Sequence, residues 1–367
     1  MQHNYRNIEP RFSLRYKLNP TSSIKTSYTE NYQYIHLAST SSVSLPTELW
    51  VPSSTAIKPK FSRQYAIGYF KNFKENMYET SLEAYYKEMT NLIEYKEGFL
   101  PEDNTNQSSD NSFTFGDGES NNLAYTINLT RNNTRVNPIF PTGGSTFSIN
   151  AKFTPPYSLF SGKDYSNLGS LKEFQDGNGN PLTDLIDQER FRWLEFYKIK
   201  FNGTWYTPIY EKLTLKTQVD FGFIGAYNLS RGNIPFERFF LGGDGMVSYA
   251  LDGRETIALR GYPNQSLSSR DGSVIYNKFS IELRYPITLK PSASIYGLTF
   301  LEAGNGYNSF RDFNPFSSKR SAGAGVRIFM PAFGLLGIDF AYGFDNVNSN
   351  LTTPNGWETH FVIGQRF

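Results

Sequence analysis

Apolar and polar residues alternate along many segments of the chain. In the segment 212–223, leucine, threonine, valine and phenylalanine occupy the odd positions, and mostly polar residues occupy the even ones. Because successive side chains of a strand point to opposite faces, this alternation predicts a strand with one apolar and one polar face. The same two-faced pattern occurs at 24–34, 65–73, 279–285, 322–328 and 336–344.

Segments of this kind predict about thirteen strands, several joined by short turns and others by long polar stretches. The strands are expected near 10–22, 22–36, 62–74, 77–95, 121–132, 145–154, 190–206, 210–228, 273–287, 293–303, 319–330, 334–345 and 358–367. The long stretches are 38–61, 96–120, 155–189 and 229–272. Short turns at one end of a sheet and long loops at the other are typical of outer-membrane barrels.

The composition agrees with a barrel wall. The chain has 25 tyrosines and 31 phenylalanines, yet only 38% of its residues are hydrophobic. A barrel needs apolar side chains only at every second strand position, and aromatic residues are enriched where its outer face meets the lipid headgroups. No segment approaches the roughly 18–20 apolar residues of a membrane-spanning helix. We therefore predict an all-β protein, a transmembrane antiparallel β-barrel of about 13–16 strands with short periplasmic turns and long extracellular loops.

Charge and residue chemistry exclude several other functions. The net charge is +2 without a Lys/Arg cluster, so the sequence predicts no nucleic-acid partner. Cysteine is absent, which excludes disulfides and thiolate metal sites. The histidines His3, His36 and His360 do not have metal-ligand spacing. We predict no catalytic residue, no metal and no cofactor; His360, beside Glu358, is the residue to test for catalysis, although a structural role is expected.

Two motifs in the C-terminal part resemble the BamA-type outer-membrane assembly factors. The first is Leu259-Arg260-Gly261-Tyr262 in the long loop, and the second is the segment 300–304, which contains Phe300, Glu302 and Gly304. The resemblance implies that the Arg-Gly-aromatic tip folds back into the lumen. It also implies a structural lock formed by Arg260, Gly261, Tyr262, Phe300, Glu302 and Gly304, with Glu302 where the family commonly has aspartate. A charged pair between Arg260 and Glu302 is expected, since an unpaired guanidinium in a narrow cavity is costly.

The last strand carries a further resemblance to outer-membrane barrels. Its residues Phe361, Ile363, Gly364 and Phe367 form an alternating apolar strand with a terminal aromatic residue. Such an end resembles the signal by which barrels are themselves recognised for insertion. In the BamA-type family the last strand pairs weakly with the first, so the resemblance implies a lateral seam at this strand.

The N-terminal part has a different resemblance. Residues 1–120, for example 32–37 and 113–118, resemble barrel strands of TonB-dependent receptors of Bacteroidetes-type bacteria. The resemblance to the assembly factors covers residues 121–367, including the long Arg-Gly-Tyr loop at about 229–272. The sequence therefore suggests a hybrid joined near Ser120. The alternative is a single divergent barrel whose first strands are receptor-like.

These resemblances imply a protein that assembles and inserts other outer-membrane proteins through a lateral seam and strand templating. The expected partners are the lipid bilayer, nascent outer-membrane β-barrel clients and accessory lipoproteins of an assembly complex. The expected location is the outer membrane of a Gram-negative, Bacteroidetes-like bacterium. One alternative is a TonB-dependent transport barrel, which requires a plug domain and a TonB box. Another is an engineered hybrid barrel without activity of its own.

Overall fold

The fold consists mainly of antiparallel strands. The computed structural model describes residues 5–37, 50–54, 58–95, 113–134, 137, 139–232, 234, 237–245, 255–269, 272–290, 292–331, 334–347 and 353–364. Strands account for 61% of the residues and helices for 8%. These proportions agree with the predicted all-β class.

Seventeen strands and two short α-helices occur in the described part of the chain. They are β1 (Arg11–Asn19), β2 (Ser22–Gln33), β3 (Ile35–Leu37), β4 (Trp50–Pro52), β5 (Lys60–Phe73), β6 (Tyr78–Tyr95), β7 (Phe113–Asn132), β8 (Gly144–Phe153), α1 (Tyr157–Ser161), α2 (Thr183–Phe191), β9 (Tyr197–Tyr210), β10 (Leu213–Gly225), β11 (Phe239–Leu241), β12 (Glu255–Ile257), β13 (Ile275–Lys290), β14 (Ala293–Tyr307), β15 (Lys319–Met330), β16 (Gly334–Gly343) and β17 (Gly356–Ile363). Thirteen of the strands form one sheet in the order β1-β2-β5-β6-β7-β8-β9-β10-β13-β14-β15-β16-β17. The short strands β3 and β4, and β11 and β12, form two separate ribbons.

The thirteen predicted strands correspond to the thirteen strands of the main sheet, so the fold class is confirmed. Two boundaries differ by seven or eight residues, and the others by four or fewer where the structure describes them. The strand expected from 190 begins only at Tyr197, because Thr183–Phe191 forms α2. The strand expected from 121 begins at Phe113, where two glycines and two acidic residues interrupt the apolar alternation. Ser120, at which the sequence was divided, lies inside this strand, so the sheet continues through the proposed boundary.

The two faces of the sheet have opposite polarity. On β13 the side chains of Phe279, Ile281 and Leu283 are exposed, whereas Ser280 and Glu282 between them are buried. Ile281 is 47% exposed and Glu282 only 5%. This arrangement is the reverse of a soluble core and is that of a barrel wall, with an apolar face toward lipid and a polar face toward the lumen. We call these the outer and inner faces.

The connections differ at the two ends of the sheet. At one end, which we call the turn end, five of the connections between neighbouring strands contain four residues or fewer. A longer connection at the turn end, 133–143, joins β7 and β8. At the other end, the loop end, the connections include the long segments 154–196 and 226–274. No helix among the described residues is long and apolar enough to cross a membrane.

Residues of the connecting loops pack on the inner face of the sheet from both its ends. From the loop end, Phe239, Leu241 and Tyr262 join a buried cluster with residues of β13 and β14. From the turn end, Phe140 is 1% exposed and packs with Tyr296, Leu298 and Phe300. The rings of Phe140 and Tyr296 meet edge to face with centroids 5.2 Å apart. Described residues of the segment 226–274 therefore pack on the inner face of the sheet, and β1 and β17 are the two edges of the sheet in the described part of the chain.

Candidate functional site

The site is built around residues 259–262, which we call the tip of the segment 226–274. The tip lies on the inner face of the sheet. Leu259 and Tyr262 are fully buried and Arg260 is 7% exposed. Leu259 accepts a backbone hydrogen bond from Gly243 (3.0 Å), which ties the tip to the earlier part of the same loop. The tip is therefore an ordered element of the interior and not a solvent-exposed turn.

Three carboxylates surround the guanidinium of Arg260. Its Nη2 donates to Glu302 Oε1 at 2.7 Å and to Glu282 Oε1 at 2.9 Å, and its Nη1 donates to Asp339 Oδ2 at 3.2 Å. The Arg260 Cζ atom lies 3.5 Å from the centroid of the Phe300 ring, a cation–π contact. Burial would lower the pKa of Arg260, but the carboxylates of Glu302 and Glu282 raise it above its ordinary value.

Glu302 binds more than the guanidinium. Its Oε2 accepts the backbone N–H of Arg260 at 2.9 Å, so this carboxylate holds both the main chain and the side chain of the tip. Its Oε1 also receives Lys278 Nζ at 3.1 Å and Ser280 Oγ at 3.3 Å. The structure thus brings together Arg260, Phe300 and Glu302 from the sequence-derived set, and it adds Lys278 and Ser280.

Two further acids were missed in the sequence. Glu282 accepts two bonds from the guanidinium of Arg284, at 2.9 and 2.7 Å, and Asp339 accepts two from Arg327, at 2.7 and 2.6 Å. The result is a buried network in which each acid lies between basic groups. The alternation of polar and apolar residues had placed all four of these side chains on the polar face, and that was the only available signal.

The next residue of the tip connects the loop to the edge of the sheet. Gly261 donates its N–H to His360 Nε2 (2.8 Å) and accepts Asn355 Nδ2 on its carbonyl (2.9 Å). Gly261 has φ +86, and a Cβ there would lie 2.8 Å from Ser321 Cβ. This position therefore requires glycine for both its conformation and its space. His360, the residue singled out for a catalytic test, is an acceptor for the loop backbone.

Tyr262 completes the contacts of the tip. Its hydroxyl donates to the carbonyl of Arg320 on β15 at 2.7 Å, and its ring is fully buried. Burial raises the pKa of Tyr262 to about 12. The tip consequently contacts strands β13 to β17.

Glycines on the inner face leave the room that this network occupies. A Cβ at Gly323 would lie 2.5 Å from Phe300 Cζ, and one at Gly325 would lie 1.7 Å from Asp339 Oδ1. A Cβ at Gly343 would meet the carbonyl oxygen of Gly261 at 2.2 Å. Gly304 also lies close to backbone, with a Cβ position 2.8 Å from the Asn277 carbonyl oxygen. Larger side chains at these positions would displace the ion pairs or the loop tip.

The residues proposed for the seam lie apart from this network. Phe361 and Ile363 are on the outer face of β17 and are 53% and 69% exposed. Gly364 has φ +91 and donates its N–H to the carbonyl of Leu335 at 2.8 Å. Phe367 lies outside the described residues. The outer-face residues of β17 therefore face lipid, while His360 on its inner face binds the loop.

A second set of ion pairs holds the first half of the same loop. Glu237 pairs with Lys152 and Lys198, and Glu255 pairs with Lys198 (2.7 Å) and Lys200 (2.8 Å). These lysines lie on β8 and β9, which only β10 separates in the sheet from the strands that hold the tip. The loop is thus bound to the inner face at β8 and β9 as well as at β13 to β17.

The pairing of Glu237 predicts a pH dependence. Burial would raise the pKa of Glu237, but the ammonium groups of Lys152 and Lys198 hold it below its ordinary value of 4.5. Because the folded pKa is depressed, this stabilisation is present above about pH 4.5 and is lost as the pH falls through the folded pKa. We expect Glu237→Gln to lower the melting temperature at pH 7 and to have a smaller effect near pH 3, measured by tryptophan fluorescence in detergent.

The control for this experiment is Glu173→Gln, at an exposed site in the segment 154–196. It is expected to change the melting temperature little at either pH. A Glu237→Gln effect that is equally large at pH 7 and pH 3 would contradict the assigned pairing.

No cluster of three or more potential metal ligands occurs in the described part of the chain. His3 lies outside that part, and His36 and His360 are on different strands, β3 and β17.

One solved structure has a similar fold over almost the whole chain. The chain is similar to a structure of BamA from Haemophilus ducreyi lacking POTRA domains 1-3, at 16% identity, 96% coverage of this chain and a TM-score of 0.55. The match spans 60% of that BamA chain. CdiB from Escherichia coli is similar at 12% identity over 93% of this chain and 50% of that chain, with a TM-score of 0.47. No curated protein sequence matches the chain.

A family model for the Omp85 superfamily domain matches residues 4–367. The match includes both parts into which the sequence was divided, so the resemblance of residues 1–120 to a TonB-dependent receptor is not supported. One family accounts for both parts of the sheet. The chain therefore belongs to the Omp85 superfamily and is an outer-membrane β-barrel.

Proposed function

We propose that this chain forms the barrel of an assembly factor that inserts other β-barrels into the outer membrane by adding their strands at its β17 edge. The observation that carries the proposal is the hydrogen bond from Gly261 N–H to His360 Nε2. Through it, the loop tip that is locked to Glu302 and Asp339 also holds the edge strand from inside. Membership of the Omp85 superfamily and the BamA-like fold support a role of this kind.

The edge strand supplies the chemistry for strand addition. In the described part of the chain, β17 pairs with β16 on one side and with no strand on the other. Unpaired backbone N–H and C=O groups are expensive in lipid, so such an edge favours pairing with an incoming strand. The outer residues Phe361 and Ile363 continue the lipid-facing surface up to this edge.

The ion-pair network around Arg260 stabilises the conformation of the β17 edge. Arg260 binds carboxylates of β13, β14 and β16. These contacts hold the last five strands of the sheet together as one rigid unit. A client strand that pairs with β17 therefore meets a template of fixed curvature. In this proposal the lock has a mechanical role, while backbone hydrogen bonding at the edge drives the insertion.

The filled lumen favours this pathway over transport through the barrel. The described residues of the segment 226–274 are bound to the inner face at β9 and at β14, and Phe140 packs against Tyr296 from the turn end. Secretion or TonB-dependent uptake through the lumen would require these contacts to break. Strand addition at β17 leaves them intact.

Several finer expectations belong to the same proposal. The clients are nascent outer-membrane β-barrels, and the lipid bilayer is the medium in which they are inserted. Accessory lipoproteins, a Bacteroidetes-like source and a division of the chain near Ser120 stay predictions. The proposed seam residues Phe361, Ile363, Gly364 and Phe367 are those nearest the accepting edge.

Site-specific crosslinking tests the proposal. Because the sequence contains no cysteine, each introduced cysteine is the single reactive thiol of the protein. Single cysteines are placed at Thr359 on β17 and, as a matched control, at Thr299 on β14. Both threonines are exposed on the outer face, but β14 is paired on both sides. A urea-unfolded barrel client with one cysteine in its last strand is then added to proteoliposomes. We expect crosslinks to Thr359→Cys and few to Thr299→Cys, together with faster client folding than in empty vesicles.

Equal crosslinking at the two positions, or none at Thr359→Cys while the client folds faster, would contradict edge addition. Unchanged folding rates with and without the protein would contradict the assembly role altogether. The two readouts thus separate the location of the site from the activity itself.

A further inference from the structure

The outer face of the first strands changes abruptly from aromatic to charged. One row across paired strands contains Phe12, Tyr28, Tyr65 and Tyr86, which are neighbours in the sheet register. The next row toward the loop end contains Glu30, Arg63 and Glu88, and Glu30 pairs with Arg63 at 2.9 Å. Aromatic residues gather where a barrel meets the headgroups, and charged residues lie beyond them.

The position of the aromatic row fits the thickness of a membrane. Strand β6 begins at Tyr78 at the turn end and reaches the row at Tyr86. This stretch matches the roughly 9–11 residues with which a tilted strand crosses the hydrocarbon layer. The row therefore marks the border of the apolar band on the side of the long loops.

A segment of the 154–196 loop forms a β-bridge with β7 at this border, between Trp193 and Asn121. Asn121 of β7 donates its N–H to the carbonyl of Arg192 (2.7 Å) and accepts the N–H of Leu194 (2.9 Å). These bonds place the Trp193 ring 6.3 Å from the Tyr86 ring, and the Tyr157 ring lies 4.9 Å from Trp193. Tyr157 is the first residue of α1, so this helix begins at the border.

Helix α1 is fixed by a buried ion pair. Glu195 accepts both the backbone N–H and the hydroxyl of Ser158 at 2.7 Å, and Arg231 Nη1 donates to Glu195 at 2.6 Å. Ser158 and Glu195 are buried, whereas the next two residues, Leu159 and Phe160, are 68% and 82% exposed. The side chains of Leu159 and Phe160 are thus exposed on a helix that the bonds of Glu195 hold in place.

We propose that α1 is a membrane anchor that inserts Leu159 and Phe160 into the outer leaflet at the border between acyl chains and headgroups. The surface that α1 extends is already the lipid-facing surface, and Trp193 and Tyr157 continue its aromatic row onto the loop. Interfacial helices immerse their apolar side chains by about 5–10 Å at this border. The proposal depends on the barrel lying in a membrane and does not depend on which proteins the barrel inserts.

An environment-sensitive label tests the anchor. The fluorophore NBD is attached to single cysteines at Phe160, at Asn178 on an exposed part of the same loop, and at Leu283 on the lipid-facing side of β13. The protein is reconstituted into phosphatidylcholine vesicles containing lipids spin-labelled near the headgroup or deep in the acyl chain. We expect the Phe160→Cys label to emit at shorter wavelength than the Asn178→Cys label and to be quenched most by the shallow spin label.

The Leu283→Cys label calibrates quenching within the apolar band, and the Asn178→Cys label calibrates an aqueous position. Emission and quenching at Phe160→Cys equal to those at Asn178→Cys would overturn the proposal. A blue shift at Phe160→Cys without lipid quenching, or one that disappears when the protein is diluted in lipid, would show contact with a second copy and would overturn it as well.

Discussion

The Glu302→Ala variant is expected to lose about 3–5 kcal/mol of folding stability, the cost of removing one partner from a buried ion pair. Glu302 is 4% exposed and binds the backbone and side chain of Arg260 as well as Lys278. Its removal leaves two buried cations with fewer acceptors. The measurement is the temperature at which the folded, fast-migrating species disappears in a heat-modifiability gel.

Two controls separate the carboxylate from the side-chain volume. Glu302→Gln keeps an acceptor for the Arg260 backbone and is expected to melt between Glu302→Ala and the unmodified protein. Leu301→Ala, on the neighbouring lipid-facing position, is expected to have a small effect because Leu301 is 58% exposed. If Glu302→Ala melted like the unmodified protein, the lock would have no role in stability. Limited proteolysis of the loop would also detect release of the tip.

The Asp339→Ala variant is expected to be destabilised by a similar amount, about 3–5 kcal/mol, for a related reason. Asp339 is fully buried and accepts both Nη atoms of Arg327 and Nη1 of Arg260. Without Asp339, the guanidinium of Arg327 stays buried on the inner face of β15 but loses its carboxylate partner. Chemical unfolding in urea, followed by tryptophan fluorescence in lipid vesicles, measures the loss.

The double variant Arg327→Met/Asp339→Ala shows why Asp339→Ala loses stability. The cause is either the unpaired buried charge of Arg327 or the lost contact with Arg260. Replacing both members of a buried pair with apolar groups is often nearly neutral, so the double variant is expected to recover most of the stability lost in the single one. Arg260 retains Glu302 and Glu282 in this background. A double variant as unstable as Asp339→Ala would mean that Asp339 acts mainly through Arg260.

The ionic network has a consequence for mechanism as well as for stability. Ion pairs from three strands converge on one loop residue, and Gly261 extends the connection to β17. Weakening the network is therefore expected to affect the edge at which clients are proposed to pair. Variants of Glu302 and Asp339 that still fold can be used in the crosslinking assay at Thr359→Cys, where a looser edge should give less crosslinking.

Several features of the site were open to sequence reasoning. The Arg-Gly-Tyr tip and the acidic residue Glu302 could be paired by their resemblance to a known family. The alternation also placed Glu282, Arg284 and Arg327 on the polar face, although it gave no partner for any of them. The contact between His360 and Gly261 had no signal in the sequence, because 99 residues separate them and nothing local links the two.

The sequence by itself determined where the thirteen strands lie and which side chains face lipid or lumen. That information is local, since side chains alternate between the two faces at every step of a strand. The tertiary structure alone decided that Asp339 and Glu282 share Arg260, that Phe140 enters the lumen, and that Tyr157 of α1 packs against Trp193. These contacts depend on how the sheet curves and where its long loops return, and both are set by packing between residues far apart in the chain.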